Sequence, residues 1–138
     1  MRSGFALAAK AVIVNGDKVL LLKRSENEMK TSLLYKNEAW DLPGGSIRFH
    51  ENCTEGLLRE ITEETSVKVK IVKPLGIFDV IKNQLHMTIC TYLCIYKGGE
   101  VLLSDEHDAY FWLSIDDAEE MSVPRWILKD MKRAISEL

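Results

Sequence analysis

Gly45-Ser46-Ile47-Arg48-Phe49-His50-Glu51-Asn52-Cys53-Thr54-Glu55-Gly56-Leu57-Leu58-Arg59-Glu60-Ile61-Thr62-Glu63-Glu64-Thr65-Ser66-Val67 is the segment whose reading decides the fold. From Glu51 to about Thr65 it is patterned as a helix, with Thr54, Leu57, Leu58, Ile61 and Thr65 gathered on one face. With Leu57 set at zero and about 100° per residue, the apolar stripe centres near 50° and Glu60, Glu63 and Glu64 fall between about 240° and 340°. Those glutamates, at i, i+3 and i+4, converge on a face turned away from the apolar stripe. Like charges at that spacing weaken a helix by some tenths of a kcal/mol per pair, and divalent cations relieve the repulsion. Mg²⁺ suits such a place, because it takes a few carboxylates together with water and phosphate oxygens. Glu51, Glu55 and Arg59 occupy a different face. There Glu55 and Arg59 are spaced as an i, i+4 ion pair, and Glu51 lies at the positive end of the helix dipole.

Upstream, Trp40-Asp41-Leu42-Pro43-Gly44-Gly45 reads as a short strand stopped by proline and glycine, where a bare backbone lets a carbonyl or a phosphate approach closely. Phe5–Val14 and Lys18–Lys23 form a hairpin about Asn15-Gly16-Asp17. Ser25–Ala39 is polar and aperiodic, and is expected to be an irregular or functional loop. Ser46–Phe49 is a second short strand candidate. Val67–Ile81 is β-branched and expected to hold one or two strands around Pro74-Leu75-Gly76. Leu85–Tyr96 alternates as a half-buried strand, Tyr110–Leu113 is a further strand, and Asp116–Met121 a helical turn. Pro124 is placed to start a last helix carrying Ile127, Leu128, Met131 and Ile135 on one stripe. The expected fold is α/β, a mixed sheet with helices packed on its faces.

The chain of 138 residues fits a single domain over residues 1–138 and buries enough surface to need no disulfide or metal for stability. Eighteen basic against 21 acidic residues give a net charge of −3, which argues against a nucleic-acid polymer as partner. Cys90 and Cys94, in one strand with Cα atoms roughly 13 Å apart, cannot bridge. Together with Cys53 they read as reduced thiols of a cytoplasmic protein. Lys10 breaks the first apolar run too early for a signal peptide, and no run is long enough to span a membrane.

The segment from Gly45 to Val67 resembles the box of the Nudix (MutT-like) pyrophosphohydrolases. That pattern is glycine, five residues, glutamate, seven residues, Arg-Glu, an aliphatic, any residue, Glu-Glu, any residue, glycine and an aliphatic. Gly45, Glu51, Arg59, Glu60, Ile61, Glu63, Glu64 and Val67 match it across 23 residues, and Ser66 replaces the second glycine. A serine that keeps the left-handed conformation of a helix end costs about 1 kcal/mol; otherwise the loop shifts. The order of elements is similar to the family's α/β/α sandwich, with the mixed sheet between helices, over nearly the whole chain.

The resemblance implies a hydrolase that cleaves a nucleoside diphosphate linked to another group. It implies that Glu60, Glu63 and Glu64 hold Mg²⁺ or Mn²⁺, that the Gly45 carbonyl is a further ligand, that Arg59 orients the glutamates and that Glu51 anchors the loop–helix junction. Glu106, in the later loop Asp105-Glu106-His107, is a candidate general base beside the box glutamates. Arg24 and Gly44 are candidate phosphate contacts. For Arg24 the alternative is a solvated strand end. Trp40 either stacks on a base or belongs to the core. His86 reads as structural. The partner is then a small nucleotide, with a homodimer left open. Lys82 stands where ADP-ribose hydrolases of this family carry a proline, and the small MutT-like size points to a nucleoside or deoxynucleoside triphosphate. The competing reading is a module of the same fold that binds a nucleotide without cleaving it. The intact box carboxylates weigh against it.

Overall fold

The computed structural model describes residues 4–32 and 38–138. Strand β1 (Gly4–Asn15) turns at Gly16, which takes φ 67°, into β2 (Lys18–Arg24), and the two form the expected hairpin with Val14 opposite Val19. Beyond the turn they part. β2 is joined on its two sides by β3 (Trp40–Asp41) and β7 (His107–Leu113), both antiparallel. β1 receives β4 (Gly44–Ser46) antiparallel and β6 (Leu85–Gly98) parallel. β5 (Lys68–Lys82) pairs with β6 and lies at the edge. The result is a mixed sheet with helices on both faces.

Alternation along β1 sets up the layers. Ala9, Ala11 and Ile13 face helix α2 (Cys53–Thr65), where Leu57 and Ile61 close a core with Leu20, Leu22 and Cys94. Val12 and Val14 face the other way, toward α3 (Ile115–Glu120) and α4 (Arg125–Ser136), which contribute Ala118, Ile127, Met131 and Ala134. Fully burying one such leucine or isoleucine is worth about 1.5–3 kcal/mol, so α2 is held on the sheet mainly by Leu57 and Ile61. Among the described residues no helix is long and apolar enough to cross a membrane.

Several boundaries differ from the expectation. Ser25–Ala39 is not wholly irregular: Glu26–Thr31 forms helix α1, whose N-cap Ser25 accepts a hydrogen bond from the Glu28 amide. One and a half turns with no buried residue leave no hydrophobic period to read. Residues 33–37 of that segment lie outside the described residues. Two short strands, β3 and β4, flank Pro43 in place of one, and the strand expected over Ser46–Phe49 ends at Ser46. The segment expected to hold one or two strands forms one, β5 over Lys68–Lys82, because the register shifts between Ile71 and Lys73 and between Pro74 and Gly76 absorb the proline at a bulge. Helix α2 begins at Cys53, since Asn52 rather than Glu51 caps it by accepting from the Glu55 amide. Pro124 is the residue that caps α4, one position before the helix proper. Ser66 keeps the left-handed conformation, with φ 63° and ψ 5°. Cys53, Cys90 and Cys94 are free thiols, as expected.

Candidate active site

Two charged networks meet at the β4–α2 junction. The first is partly exposed and centres on Arg59. Its Nε and Nη2 donate to the two oxygens of Glu51 at 2.8 and 2.9 Å. Its Nη1 donates to Glu60 at 3.0 Å and to Glu63 at 3.2 Å, while Nη2 also reaches the Ser46 carbonyl at 3.1 Å. One guanidinium thus ties two box glutamates to the end of β4 and to the loop before the helix. Arg59 and the Arg48 amide hold the Glu51 carboxyl down to about 2. The i, i+4 pair expected between Glu55 and Arg59 is replaced: Glu55 accepts from the Asn52 side chain instead. The five donors of a guanidinium favour the bidentate grip on Glu51 over a single contact with Glu55.

The second network is buried and centres on Asp41. Its Oδ1 meets Lys10 Nζ at 3.0 Å and Arg24 Nη2 at 2.9 Å, and its Oδ2 lies 2.9 Å from Nε2 of His107. Burial by itself would raise the Asp41 pKa. Lys10, His107 and Arg24 outweigh it and hold the carboxyl well below the usual carboxylate range. Lys10 also donates to the carbonyls of Gly44 at 2.9 Å and Leu42 at 3.3 Å. Arg24 donates to the carbonyls of Glu38 and Trp40 at 2.8 and 3.0 Å. The chain around Pro43 is therefore pinned by cations from β1 and β2.

Glu64 stands between the networks. It is 4% exposed, and its Oε1 accepts the Gly44 amide at 2.8 Å. Burial above all, with the negative charges of Asp41 and Glu60, pushes its pKa up to about 9 against the pull of Lys10 and the Gly44 amide. Gly45 lies directly over Glu60: a Cβ at that position would come within 2.8 Å of the Glu60 carboxylate. Gly44, at φ 133°, leaves no room for a Cβ either, since one would stand 2.1 Å from the Ala9 carbonyl oxygen.

A cavity of about 480 Å³ opens at this junction, and Arg24, Gly44, Gly45, Glu60, Glu64 and Glu106 all line it. The structure thus brings together most of the residues singled out from sequence. Glu63 lies outside the lining, half-exposed between Arg59 and, at 3.8 Å, Arg48. Arg59 acts from behind the wall. Trp40 is also outside the lining; its ring packs against Phe111 at 5.6 Å with Lys23 above it at 4.6 Å. His86 pairs with Asp79 at 2.8 Å and is not part of the lining, though its neighbours Leu85 and Met87 are. Sequence reasoning missed Lys10, Asp41 and His107. The one available signal was a lysine inside an otherwise apolar strand.

The donor set suits a hard divalent cation: clustered carboxylates, one of them buried, beside a glycine turn too close to Glu60 and β1 to take a side chain. One ligand atom each from Glu64, Glu106 and His107 lies within 4.8 Å of the others.

The chain matches the NUDIX domain family model over residues 4–135. A MutT protein of Methanosarcina mazei Go1 has the same fold, with TM-score 0.80 and 27% identity, covering 99% of this chain and 97% of that one. A Methanocaldococcus jannaschii protein named ADP-ribose pyrophosphatase is 26% identical over 131 residues, 93% of this chain and 73% of its own length. A Buchnera aphidicola protein named 8-oxo-dGTP diphosphatase is 24% identical over 127 residues, 90% of this chain and 91% of its own. The matched span takes in both networks and the cavity between them, and on it this chain belongs to the Nudix hydrolase family.

Proposed function

We propose that this chain is a divalent-metal-dependent pyrophosphohydrolase that cleaves a phosphoanhydride bond of a nucleoside diphosphate linked to a further group. A nucleoside or deoxynucleoside triphosphate is the first substrate we assign to it. The observation that carries the reading is Glu64, buried on the Gly44 amide in the cavity that Glu60 and Glu106 also line. The two relatives' names, one an ADP-ribose and one a purine triphosphate enzyme, agree on the bond type and differ on the leaving group. Lys82 in place of a proline favours the triphosphate.

In this reading Glu60, Glu63, Glu64 and the Gly45 carbonyl hold Mg²⁺ or Mn²⁺. Such ions, when bound, polarise a phosphoryl oxygen, lower the pKa of water and offset charge on the leaving phosphate. Arg59 fixes Glu60 and Glu63 in place. Arg24 and Lys10 put positive charge into a wall whose other charged members include Asp41, Glu60, Glu64 and Glu106. Glu106 takes the proton from the attacking water, whose oxygen forms the new bond to phosphorus as the bond to the leaving phosphate oxygen breaks.

The test is a panel of nucleoside triphosphates, nucleotide sugars, ADP-ribose and dinucleoside polyphosphates with Mg²⁺, with phosphate and pyrophosphate release resolved. We expect pyrophosphate from a triphosphate, and a loss of turnover by at least about a hundredfold in Glu64→Gln and in Glu63→Gln. Nucleotide binding without turnover across the panel would make the chain a sensing module instead. Undiminished turnover in either variant would overturn the ligand assignment.

A further inference from the structure

We propose that His107 makes the Glu64–Glu106 pair a mixed nitrogen–oxygen cation site, one that prefers first-row transition ions such as Mn²⁺ and Co²⁺ to Mg²⁺. The inference rests on the functional reading above and adds to it a ligand from outside the box and a metal preference.

The first observation is geometric. Glu64, Glu106 and His107 each offer a ligand atom within 4.8 Å of the other two, and all three line the cavity. The second is independent of the acids. His107 is 4% exposed, and its Nδ1 is buried with no hydrogen-bond partner. The other ring nitrogen is spoken for, since Nε2 lies 2.9 Å from Asp41 Oδ2. Asp41 is an acceptor-only carboxylate held in place by Lys10 and Arg24, so Nε2 faces it as the donor. Nδ1 is the ring nitrogen left without a protein partner. An unpaired buried polar atom costs about 1–3 kcal/mol, and a histidine whose second nitrogen is fixed by a carboxylate is the usual form of a metal-binding imidazole. Here Asp41 supplies that carboxylate from β3, while Arg24 and Lys10 fix Asp41 in turn. Glu106 ligates through one oxygen and keeps the other for the proton of the attacking water.

The preference follows from ligand chemistry. Mg²⁺ demands oxygen and gives up its water reluctantly, whereas imidazole raises affinity along the series from Mn²⁺ to Co²⁺. A site of two carboxylates and one imidazole therefore binds Mn²⁺ or Co²⁺ more tightly than an all-oxygen site would, with little gain for Mg²⁺.

The decisive measurement is pulsed electron paramagnetic resonance of the full chain loaded with Mn²⁺, read for modulation by a directly bound histidine nitrogen. A parallel titration with Co²⁺ and Mg²⁺ gives the affinity ratio. The chain has three histidines, so the His50→Asn/His86→Asn double variant isolates His107. We expect nitrogen modulation in the wild type and in the double variant, and its loss in His107→Asn. The Co²⁺ to Mg²⁺ affinity ratio should fall by at least about tenfold in His107→Asn. If His107→Asn does not fold, the double variant alone decides. Mn²⁺ bound without nitrogen modulation in the folded wild type overturns the proposal; if Mg²⁺ still supports hydrolysis, the functional reading stands. Nitrogen modulation with no hydrolysis of any substrate has the opposite meaning: the site is real and the functional reading fails. If no divalent ion binds, both fail.

Discussion

The Gly44 amide donates to Oε1 of Glu64 across 2.8 Å, joining two residues 20 positions apart in the chain. This bond pins the last full turn of α2 to the turn after Pro43, and it draws a helix-surface carboxylate under β4. The same approach that buries Glu64 makes it available to a ligand in the cavity and costly to ionise without one.

The pH dependence of stability follows from that burial. The Glu64 pKa is pushed from 4.5 to about 9, so between those values the folded chain keeps a proton that the unfolded chain has lost. Stability of the metal-free protein therefore falls, through this group, as pH rises across the window. Urea unfolding at about pH 5 and about pH 8 should show the decline in the wild type and a flatter profile in Glu64→Gln. The glutamine keeps the acceptor for Gly44 and carries no charge. At about pH 8 the inactive variant should be the more stable protein, as is common where a site is strained for function. Equal slopes in the two proteins would refute this.

The Asp41 network should be the more fragile of the two. Asp41→Ala leaves Lys10 and Arg24 as buried cations without their shared carboxylate, and breaking a buried pair in this way costs about 3–5 kcal/mol. Glu63→Gln, at a half-exposed ion pair, should change stability by less than about 1 kcal/mol. Denaturant midpoints of the two variants, measured side by side, test the contrast.

Gly45→Ala separates positioning from folding. The added methyl meets the Glu60 carboxyl carbon at 2.8 Å, so the side chain must move while the backbone φ remains acceptable to alanine. We expect kcat to fall by about a hundredfold with a melting temperature close to that of the wild type. Wild-type turnover would show that the place of Glu60 beneath Gly45 is not needed.

Ser66→Gly should stabilise the chain by up to about 1 kcal/mol, since the serine holds φ 63° where glycine carries no Cβ penalty. Chemical denaturation reads it directly. Activity should be unchanged, because Ser66 is not among the cavity residues.

Much of this was legible in the sequence because it is local. Apolar period defines the body of α2, though not its start at Cys53, and the spacing of Glu60, Glu63 and Glu64 places them off its apolar stripe whatever lies around it. Alternation in Leu85–Tyr96 and the Asn15-Gly16-Asp17 turn act over a few residues in the same way. Helix α1 escaped because it buries nothing and so leaves no period.

Tertiary structure alone decided which charges are buried and what they face. Asp41 and His107 are 66 positions apart, and they meet because β2 holds β3 on one side and β7 on the other, with Lys23 opposite Trp40 and Arg24 opposite His107. Lys10 reads as an interruption of an apolar strand until β4 pairs with β1 and sets Gly44 opposite it. The helical wheel gives Glu60, Glu63 and Glu64 one open face, yet the β4 turn covers Glu64 and leaves Glu63 half-exposed. Residue spacing fixes directions along one element; burial and pKa depend on the neighbouring element, which only strand register supplies.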